Sequence, residues 1–328
     1  MGGPIAPSDI TICTVRLNRV LQYEPRDLTI SVEAGLSFCE LRYTLAQYRQ
    51  MIPLDPPFAA ESTVGGVLAA NLSGPRRRLY GTARDMVIGM TFATLSGKLV
   101  QTGGMVVKNV AGLDMAKMMI GSFGTLAAIA TVNFKVYPMQ VHTRTFVYRF
   151  DAIEDAMAAR DKVLASVLQP AALDLAKDSE GYRLLIQAGG SERVLARYAD
   201  ELPGAEVVEG SDEGNLWQGI QELPRDFLRS HPHGAVARIR CRLTEVGTWL
   251  ERLPAPAIAR AGSGIVYGFF TTAEEALGHG LIEFAPAAFR ASHVLWPEAG
   301  DDFAIMGKIK RMLDPELLLN RGRLHGRI

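Results

Sequence analysis

The hydrophobic and polar positions of this chain follow two rhythms, which change over near Pro138. In the first half, short β-rich runs are separated by glycine. Leu28–Ala34 (LTISVEA) alternates β-formers and stops at Gly35, the pattern of a strand. Ser37 then opens a helix to about Gln50, with Glu40 three residues on as a capping box. Pro53, Pro56 and Pro57 impose a rigid extended loop. Ser62 or Thr63 caps a short helix through Asn71. Met86–Leu95 and Lys98–Gln101 predict a hairpin turning at Ser96-Gly97. Met115–Ile120 predicts a helix stopped by Gly121, and Leu126–Val136 a strand ending at Pro138. This half reads as an α+β body with mostly non-local pairing.

Beyond Pro138 glycine thins and longer charged helices enter. Thr143–Phe150, Leu173–Ala176, Arg183–Ala188, Ala235–Arg242, Ile258–Arg260 and Gly264–Phe270 read as strands. Asp151–Leu168, with Asp151 and Glu154 as its capping pair, and Ser191–Leu202, Thr244–Leu253 and Thr272–His279 read as helices. Gly204–Gly214 reads as a polar, acidic loop. A β-α-β-β-α order, met twice, predicts an antiparallel sheet covered by helices on one face. The tail is helical over Phe303–Leu313, ends at Asp314-Pro315 and closes in the loop Asn320–Arg323.

Composition narrows the function classes. With 35 basic and 35 acidic residues the formal net charge is zero, which argues against a nucleic-acid binder. Cys13, Cys39 and Cys241 are far apart and odd in number, which points to a reducing compartment and gives no zinc pattern, so no metal is expected. No apolar run reaches the roughly 20 residues of a membrane span. Met1-Gly2-Gly3-Pro4 lacks the basic and apolar regions of a signal peptide. The expected location is the cytoplasm, with any contact to the inner membrane made through partners.

The densest chemical signal is glycine. Glu61–Leu126 holds 11 of the 32 glycines, in two loop systems: Thr63-Val64-Gly65-Gly66 through Asn71-Leu72-Ser73-Gly74, and Lys108-Asn109-Val110-Ala111-Gly112-Leu113-Asp114, closed by Gly121-Ser122-Phe123-Gly124-Thr125-Leu126. Glycine lets backbone N–H groups approach a ligand closely. Such a concentration suits a flat or phosphorylated ligand, and the Thr63–Gly66 turn at a helix start is an anion cradle. The alternative is that these glycines only mark tight turns in a β-rich fold.

Several of these runs resemble FAD-linked oxidases of the vanillyl-alcohol oxidase / p-cresol methylhydroxylase (PCMH) type. They are Pro57…Thr63-Val64-Gly65-Gly66…Asn71-Leu72-Ser73-Gly74-Pro75-Arg76-Arg77, Gly81-Thr82-Ala83-Arg84-Asp85, Lys108–Asp114 and Gly121–Leu126. Ser73-Gly74-Pro75-Arg76-Arg77 with Val107-Lys108-Asn109-Val110-Ala111-Gly112 is most similar to the glycolate-oxidase branch. Leu319-Asn320-Arg321-Gly322-Arg323 is similar to the family's closing Asn-Pro-Gly-Arg segment.

The resemblance implies an α+β fold class: a PCMH-type FAD-binding domain over 1–138, an antiparallel-sheet cap domain over 139–300, and a tail over 301–328 that packs back on the FAD domain. It implies non-covalent FAD, and an oxidoreductase of CH–OH groups that passes a hydride from a 2-hydroxy acid to flavin. The implied partners are a homologous flavin subunit and an iron–sulfur subunit. The alternative is a non-catalytic assembly or electron-transfer subunit that binds FAD weakly or not at all. The family's further β-α-β lobe, with its Arg-Gly-Gly-Gly loop, has no counterpart ahead of Leu17-Asn18-Arg19-Val20, so the FAD domain is expected to lack it.

Carried over residue by residue, Pro57, Ser62, Thr63, Val64, Gly65, Gly66, Asn71, Ser73 and Gly74 would contact pyrophosphate and flavin. Arg84 and Asp85 would lie beside the ring, and Gly81, Lys108, Asn109, Gly112 and Asp114 would also contact the cofactor. Gly121, Gly124, Thr125 and Ile129 would meet the ribose and adenine end, and Asn320 and Arg323 the far side of the ring. Catalytic residues are not assigned. Oxidation of a 2-hydroxy acid needs a base and usually an arginine for the carboxylate; His293 and Arg290 are the pair considered for those parts. The run Arg76-Arg77-Arg78 is either a solvated loop or a dock for an anion or a partner subunit.

Overall fold

The computed structural model describes residues 1–105, 114–326 and 328. The chain forms two compact units: Met1–Ser73 with Gly81–Met139 and Arg290–Ile328, and Gly74–Tyr80 with Gln140–Phe289.

In the first unit, alternation of apolar residues builds the strands β1 (Val20–Glu24), β2 (Thr29–Glu33), β3 (Gln50–Met51), β4 (Val87–Ala93), β5 (Leu99–Gly103), β6 (Ala128–Lys135) and β7 (Tyr137–Pro138). Five form an antiparallel sheet in the order β1-β2-β6-β4-β5, and β3 pairs with β7. Ile30 and Val32 of β2, Met90 and Phe92 of β4, and Val132 and Phe134 of β6 are fully buried. The Phe38–Ala46 helix, capped by Ser37 Oγ accepting from the Glu40 N–H at 3.1 Å, adds Phe38, Leu41 and Leu45 to the core.

That helix is shorter than its sequence predicts. Arg49 turns left-handed at φ 54°, and Gln50 leaves to pair with Pro138. The Gln50 carboxamide donates to Pro25 O at 2.7 Å and accepts from Tyr23 Oη at 2.9 Å, so tertiary partners replace the last helical turn.

The second unit holds β8 (His142–Phe150), β9 (Ala172–Asp178), β10 (Gly181–Gly190), β11 (Glu206–Glu209), β12 (Ala235–Arg240), β13 (Ala257–Arg260), β14 (Ile265–Phe270) and β15 (Leu281–Phe284). They make one antiparallel sheet in the order β11-β8-β10-β9-β13-β14-β12-β15.

Four expectations are corrected here. Gly204–Gly214 is not a loop: it supplies β11 and the start of a 21-residue helix, Gly210–Ser230. Glu213, Ile220 and Phe227 recur every seven residues and are buried on one side of it. Glu213 is tied to the sheet by Thr143 Oγ1 and by Thr145 Oγ1, the latter at 2.9 Å. This helix packs with Val147, Leu185, Val236 and Phe269, whereas Tyr198 of the Glu192–Glu201 helix stacks on Phe146, the neighbour of Val147. Adjacent strand residues face opposite ways, so helices cover both faces of the sheet rather than one. Thr272–His279 is a single 3-10 turn, Glu274–Ala276, and the Ile153–Ala165 helix is capped at Ala152 without a side-chain bond from Asp151.

Candidate functional site

The first unit gathers the second glycine loop, the end of one helix and the chain's tail. The Val64–Ala70 helix ends at Asn71, which adopts φ 52°. Two of its last carbonyls accept from the second loop: the Gly121 N–H donates to Leu68 O at 3.0 Å and the Phe123 N–H to Ala69 O at 2.8 Å. Gly121 takes φ 85° with Asn71 Cβ close by, 3.5 Å from where its own Cβ would stand. The Asn71 Oδ1 acceptor is buried and has no hydrogen-bond partner among the described residues.

The loop itself is wound tightly. Phe123 and Gly124 take φ 52° and 70° in succession. The Gly124 N–H donates to Ser122 Oγ at 3.3 Å, and Thr125 Oγ1 donates to Ser122 O at 2.7 Å. A Cβ at Gly124 would lie 2.6 Å from Asn320 Nδ2, so only glycine fits there.

The tail holds this loop from outside. Asn320 Nδ2 donates to Phe123 O at 2.9 Å and to Gly124 O at 3.2 Å. Lys310, 1% exposed, donates to Thr125 O at 2.7 Å, to Leu319 O at 2.9 Å and to the Asp314 carboxylate. Asp314 in turn accepts from the Leu318 and Leu319 N–H groups at 3.0 and 2.8 Å. Burial pushes the Asp314 carboxyl up, but the bonds from Lys310 and these two amides leave it below its ordinary value.

Arg323 donates to Gly3 O at 3.2 Å, and its own carbonyl accepts from the Gly3 N–H at 3.0 Å. Burial, with Arg290 beside it, lowers the Arg323 guanidinium from its usual value. Arg290 Nε and Trp296 Nε1 are buried without hydrogen-bond partners, and Trp296 meets the Phe123 ring edge-on at 5.6 Å.

Of the residues singled out in the sequence, Asn71, Gly121, Gly124, Thr125 and Asn320 come together in this junction, and Arg323 joins it through the tail. The Thr63–Gly66 turn is at the other end of its short helix. Ser62 O accepts from the Phe38 N–H, and Thr63 Oγ1 accepts from the Gly66 N–H at 3.2 Å. The Val64 and Gly65 N–H groups donate to Leu36 O and Ala34 O at 2.9 and 2.7 Å. The cradle expected here is therefore closed at three donors, and a Cβ at Gly65 would meet Ala34 at a tight 3.0 Å. Pro57 is half-buried, Ser73 buried, and Gly74 falls in the second unit.

Gly81 takes φ 81° against Asp85, whose carboxylate caps Thr82 N at 2.8 Å while Arg84 is exposed. Asp85 is thus a helix cap. Ile129 is buried in β6, and Asp114 lies 3.7 Å from Lys117. Lys108, Asn109 and Gly112 lie outside the described residues. His293 is exposed and its Nδ1 lies 3.0 Å from Ser292 Oγ. Among the described residues no group of three or more His, Cys, Asp or Glu side chains is arranged to hold a metal, and no helix is long and apolar enough to cross a membrane. Arg290, considered in the sequence for a substrate carboxylate, joins this junction, while Lys310 and Trp296 complete it without a sequence signal as site residues.

Residues 2–103 match a family of FAD-binding domains. The chain is 30% identical over 325 residues to the glycolate oxidase subunit GlcE of Escherichia coli, covering 96% of this chain and 87% of that one. A D-lactate dehydrogenase of Anaerostipes hadrus is 28% identical over 231 residues, covering 68% of this chain and 46% of the enzyme. Among solved structures, an alkyldihydroxyacetonephosphate synthase superposes with a TM-score of 0.65 at 19% identity, covering 93% of this chain and 65% of that one. The chain thus spans less than half of the dehydrogenase and just under two thirds of the synthase. The synthase likeness establishes the fold: a PCMH-type FAD-binding domain with a sheet cap. With identity to the E. coli subunit sustained along nearly its whole length, the chain belongs to the FAD-binding oxidoreductases of the glycolate oxidase and D-lactate dehydrogenase family, and FAD is its cofactor.

Proposed function

We propose that this chain is a glycolate-oxidase-type subunit that oxidises a 2-hydroxy acid at its CH–OH carbon, with non-covalently held FAD as hydride acceptor. The observation that carries the reading is the 30% identity over 96% of the chain to a glycolate oxidase subunit. In this reaction the α-carbon hydrogen leaves with its electron pair, the hydroxyl proton passes to a base, and a 2-oxo acid remains. When bound, FAD supplies the two-electron acceptor.

This chain's own residues supply the seat. The unpartnered Asn71 Oδ1 is a buried acceptor suited to an N–H or O–H of the cofactor, and the left-handed turn at Phe123-Gly124 leaves room for close approach. The Lys310–Asp314 pair and Asn320 fix that turn, so the site is rigid before ligand arrives. Arg290 lies near Arg323, whose Nε and the Phe123 ring both stand against Gly2, which puts positive charge beside Phe123 and favours an anionic group of the cofactor or a ring that gains charge on reduction. Partners follow from the same reading: a homologous flavin subunit and an iron–sulfur subunit to take electrons onward, in the cytoplasm.

A second reading is supported by the closed cradle. With the Val64, Gly65 and Gly66 N–H groups already donated internally, pyrophosphate would gain fewer contacts, as in an assembly or electron-transfer subunit with weak FAD affinity. Anaerobic mixing of the FAD-loaded chain with glycolate, D-lactate or ethanol separates the two. The enzymatic reading expects the visible flavin band to bleach with a hydroxy acid and not with ethanol. Retained flavin that no hydroxy acid bleaches would move the chain to the second reading.

A further inference from the structure

Between Ile10 and Leu21 six large apolar residues of the first unit face solvent: Ile10 at 80% exposure, Ile12 at 66% and Val15 at 58%, then Leu17, Val20 and Leu21. Together they leave roughly 600 Å² uncovered, at the upper end of the largest patch that an ordinary monomer carries. The same stretch is short of backbone partners. Ile10-Thr11-Ile12-Cys13-Thr14-Val15 is rich in β-formers, yet it belongs to no strand. Among the described residues, no backbone group from Pro7 to Cys13 has a hydrogen-bond partner.

The stretch leads into β1, the edge of the five-stranded sheet. β2 pairs with one side of β1, and among the described residues no strand pairs with the other. An open edge invites another strand unless proline, lysine or a bulge protects it. β1 has a register shift between Val20 and Gln22, but no proline and no lysine. Its sequence is complementary to itself. Set antiparallel to a second copy about an axis between Leu21 and Gln22, it brings Arg19 opposite Glu24 and Val20 opposite Tyr23. Each end then carries an opposite-charge pair, with a β-branched residue against an aromatic one inside it. A shift of one residue sets Arg19 against Tyr23 or Pro25 and loses both charge pairs. The Arg19 side chain is 74% exposed and bonds to Glu33 through Nε and Nη2, which leaves Nη1 for a second carboxylate. Glu24 is exposed at the other end of the strand.

We infer that Ile10–Glu24 is the interface between two copies of this chain, joined edge to edge through β1, with the apolar run Ile10–Leu17 covered alongside. Roughly 600 Å² of apolar side chain per copy, with the polar atoms of the same stretch, approaches the about 800 Å² per partner of a standard interface. The contact uses the same surface on both copies, so it closes at two and does not grow into a filament. It also supplies the unpaired edge with backbone partners. The inference does not rest on the oxidation reaction, because none of its residues belongs to the loop and tail junction.

Sedimentation velocity of the full chain over a wide range of concentration tests it, and a reversible monomer–dimer equilibrium is expected. Leu21→Lys sets an ammonium group beside the axis in each copy, and is expected to weaken the dimer at least tenfold. Glu24→Arg places like charges opposite one another, and is expected to weaken it about tenfold. Arg19→Glu mixed with Glu24→Arg restores opposite charges at both ends, so the mixture is expected to pair more tightly than either variant does with itself. Arg19→Glu also brings a second carboxylate to Glu33, so circular dichroism checks its fold; if it does not fold, Leu21→Lys and Glu24→Arg decide. Leu99→Lys, on the exposed edge strand β5 at the other side of the sheet, is expected to leave the dimer unchanged. A chain that is monomeric at every concentration overturns the inference and leaves this face to a different protein. A dimer indifferent to Leu21→Lys, or weakened equally by Leu99→Lys, places the contact elsewhere and overturns it too. Sedimentation does not depend on bound flavin or turnover, so either result leaves the hydroxy-acid reading to its own test.

Discussion

At the tail of the first unit, Lys310 and Asp314 are buried together, and each has partners beyond the other: two backbone carbonyls for the ammonium, two backbone N–H groups for the carboxylate. On the sheet of the second unit, Arg260 pairs with Asp174 and Arg238 with Glu283, beside the exposed Arg240. The first arrangement is closed. Its charges cancel, its hydrogen bonds are filled, and its work is to hold Thr125 and Leu319 in place. The second is more open: Arg240 is exposed, and Arg260 Nε is buried with no hydrogen-bond partner among the described residues. Buried charge that is fully answered serves architecture, and a cluster with one exposed member depends more on solvent.

Breaking the closed pair is expected to have the largest effect. Lys310→Met leaves the Asp314 carboxylate buried without its cation, and denaturant unfolding is expected to show a loss of about 3–5 kcal/mol. Replacing both, Lys310→Met with Asp314→Leu, is expected to recover much of that. The pair also sets an acid limit. The folded Asp314 sits below its unfolded value of about 3.9. The stability it contributes is therefore complete above that pH and disappears as pH falls through the folded value. Acid titrations should lose this component in the double variant.

A smaller effect is expected at Gly124. Gly124→Ala sets a Cβ at φ 70° and 2.6 Å from Asn320 Nδ2; thermal unfolding should register a loss of about 1–2 kcal/mol, with weaker FAD retention. The smallest effect is expected in the open cluster. Arg240→Gln removes an exposed charge beside Arg238 and Arg260 on neighbouring strands, and should leave stability within about 0.5 kcal/mol of the parent, the difference fading further as salt is added. Destabilisation comparable to Lys310→Met would put the two regions in one class.

The strands that form the two sheets were legible because they alternate and are bounded by glycine or proline. Leu28–Ala34 and the Ser96-Gly97 hairpin correspond to β2 and to β4 with β5. The Gly210–Ser230 helix was not legible. Its buried face carries Glu213, which finds Thr143 and Thr145 only in the folded sheet, and Pro224 interrupts its interior. β3 is two residues long and exists because β7 pairs with it. At the site, the second loop and Asn320 were readable as a glycine motif and a closing segment. The closure of the Thr63–Gly66 cradle was not, since its donors are taken by Ala34 and Leu36, residues some thirty positions earlier. Nor was the role of Lys310, which reads in sequence as one more charge on a tail helix and is buried only because Thr125 and Leu319 come to it.

The most direct test is an equilibrium titration with FAD, followed by quenching of flavin fluorescence, on the parent chain and on Asn320→Ala. Asn320 is exposed, so its removal spares the core while it frees Phe123 O and Gly124 O from the tail. If the junction of the second glycine loop with the tail is where the flavin is held, the parent binds one FAD and Asn320→Ala binds about tenfold more weakly with its circular dichroism unchanged. Equal affinity in the two chains would place the cofactor away from that junction and contradict the assignment.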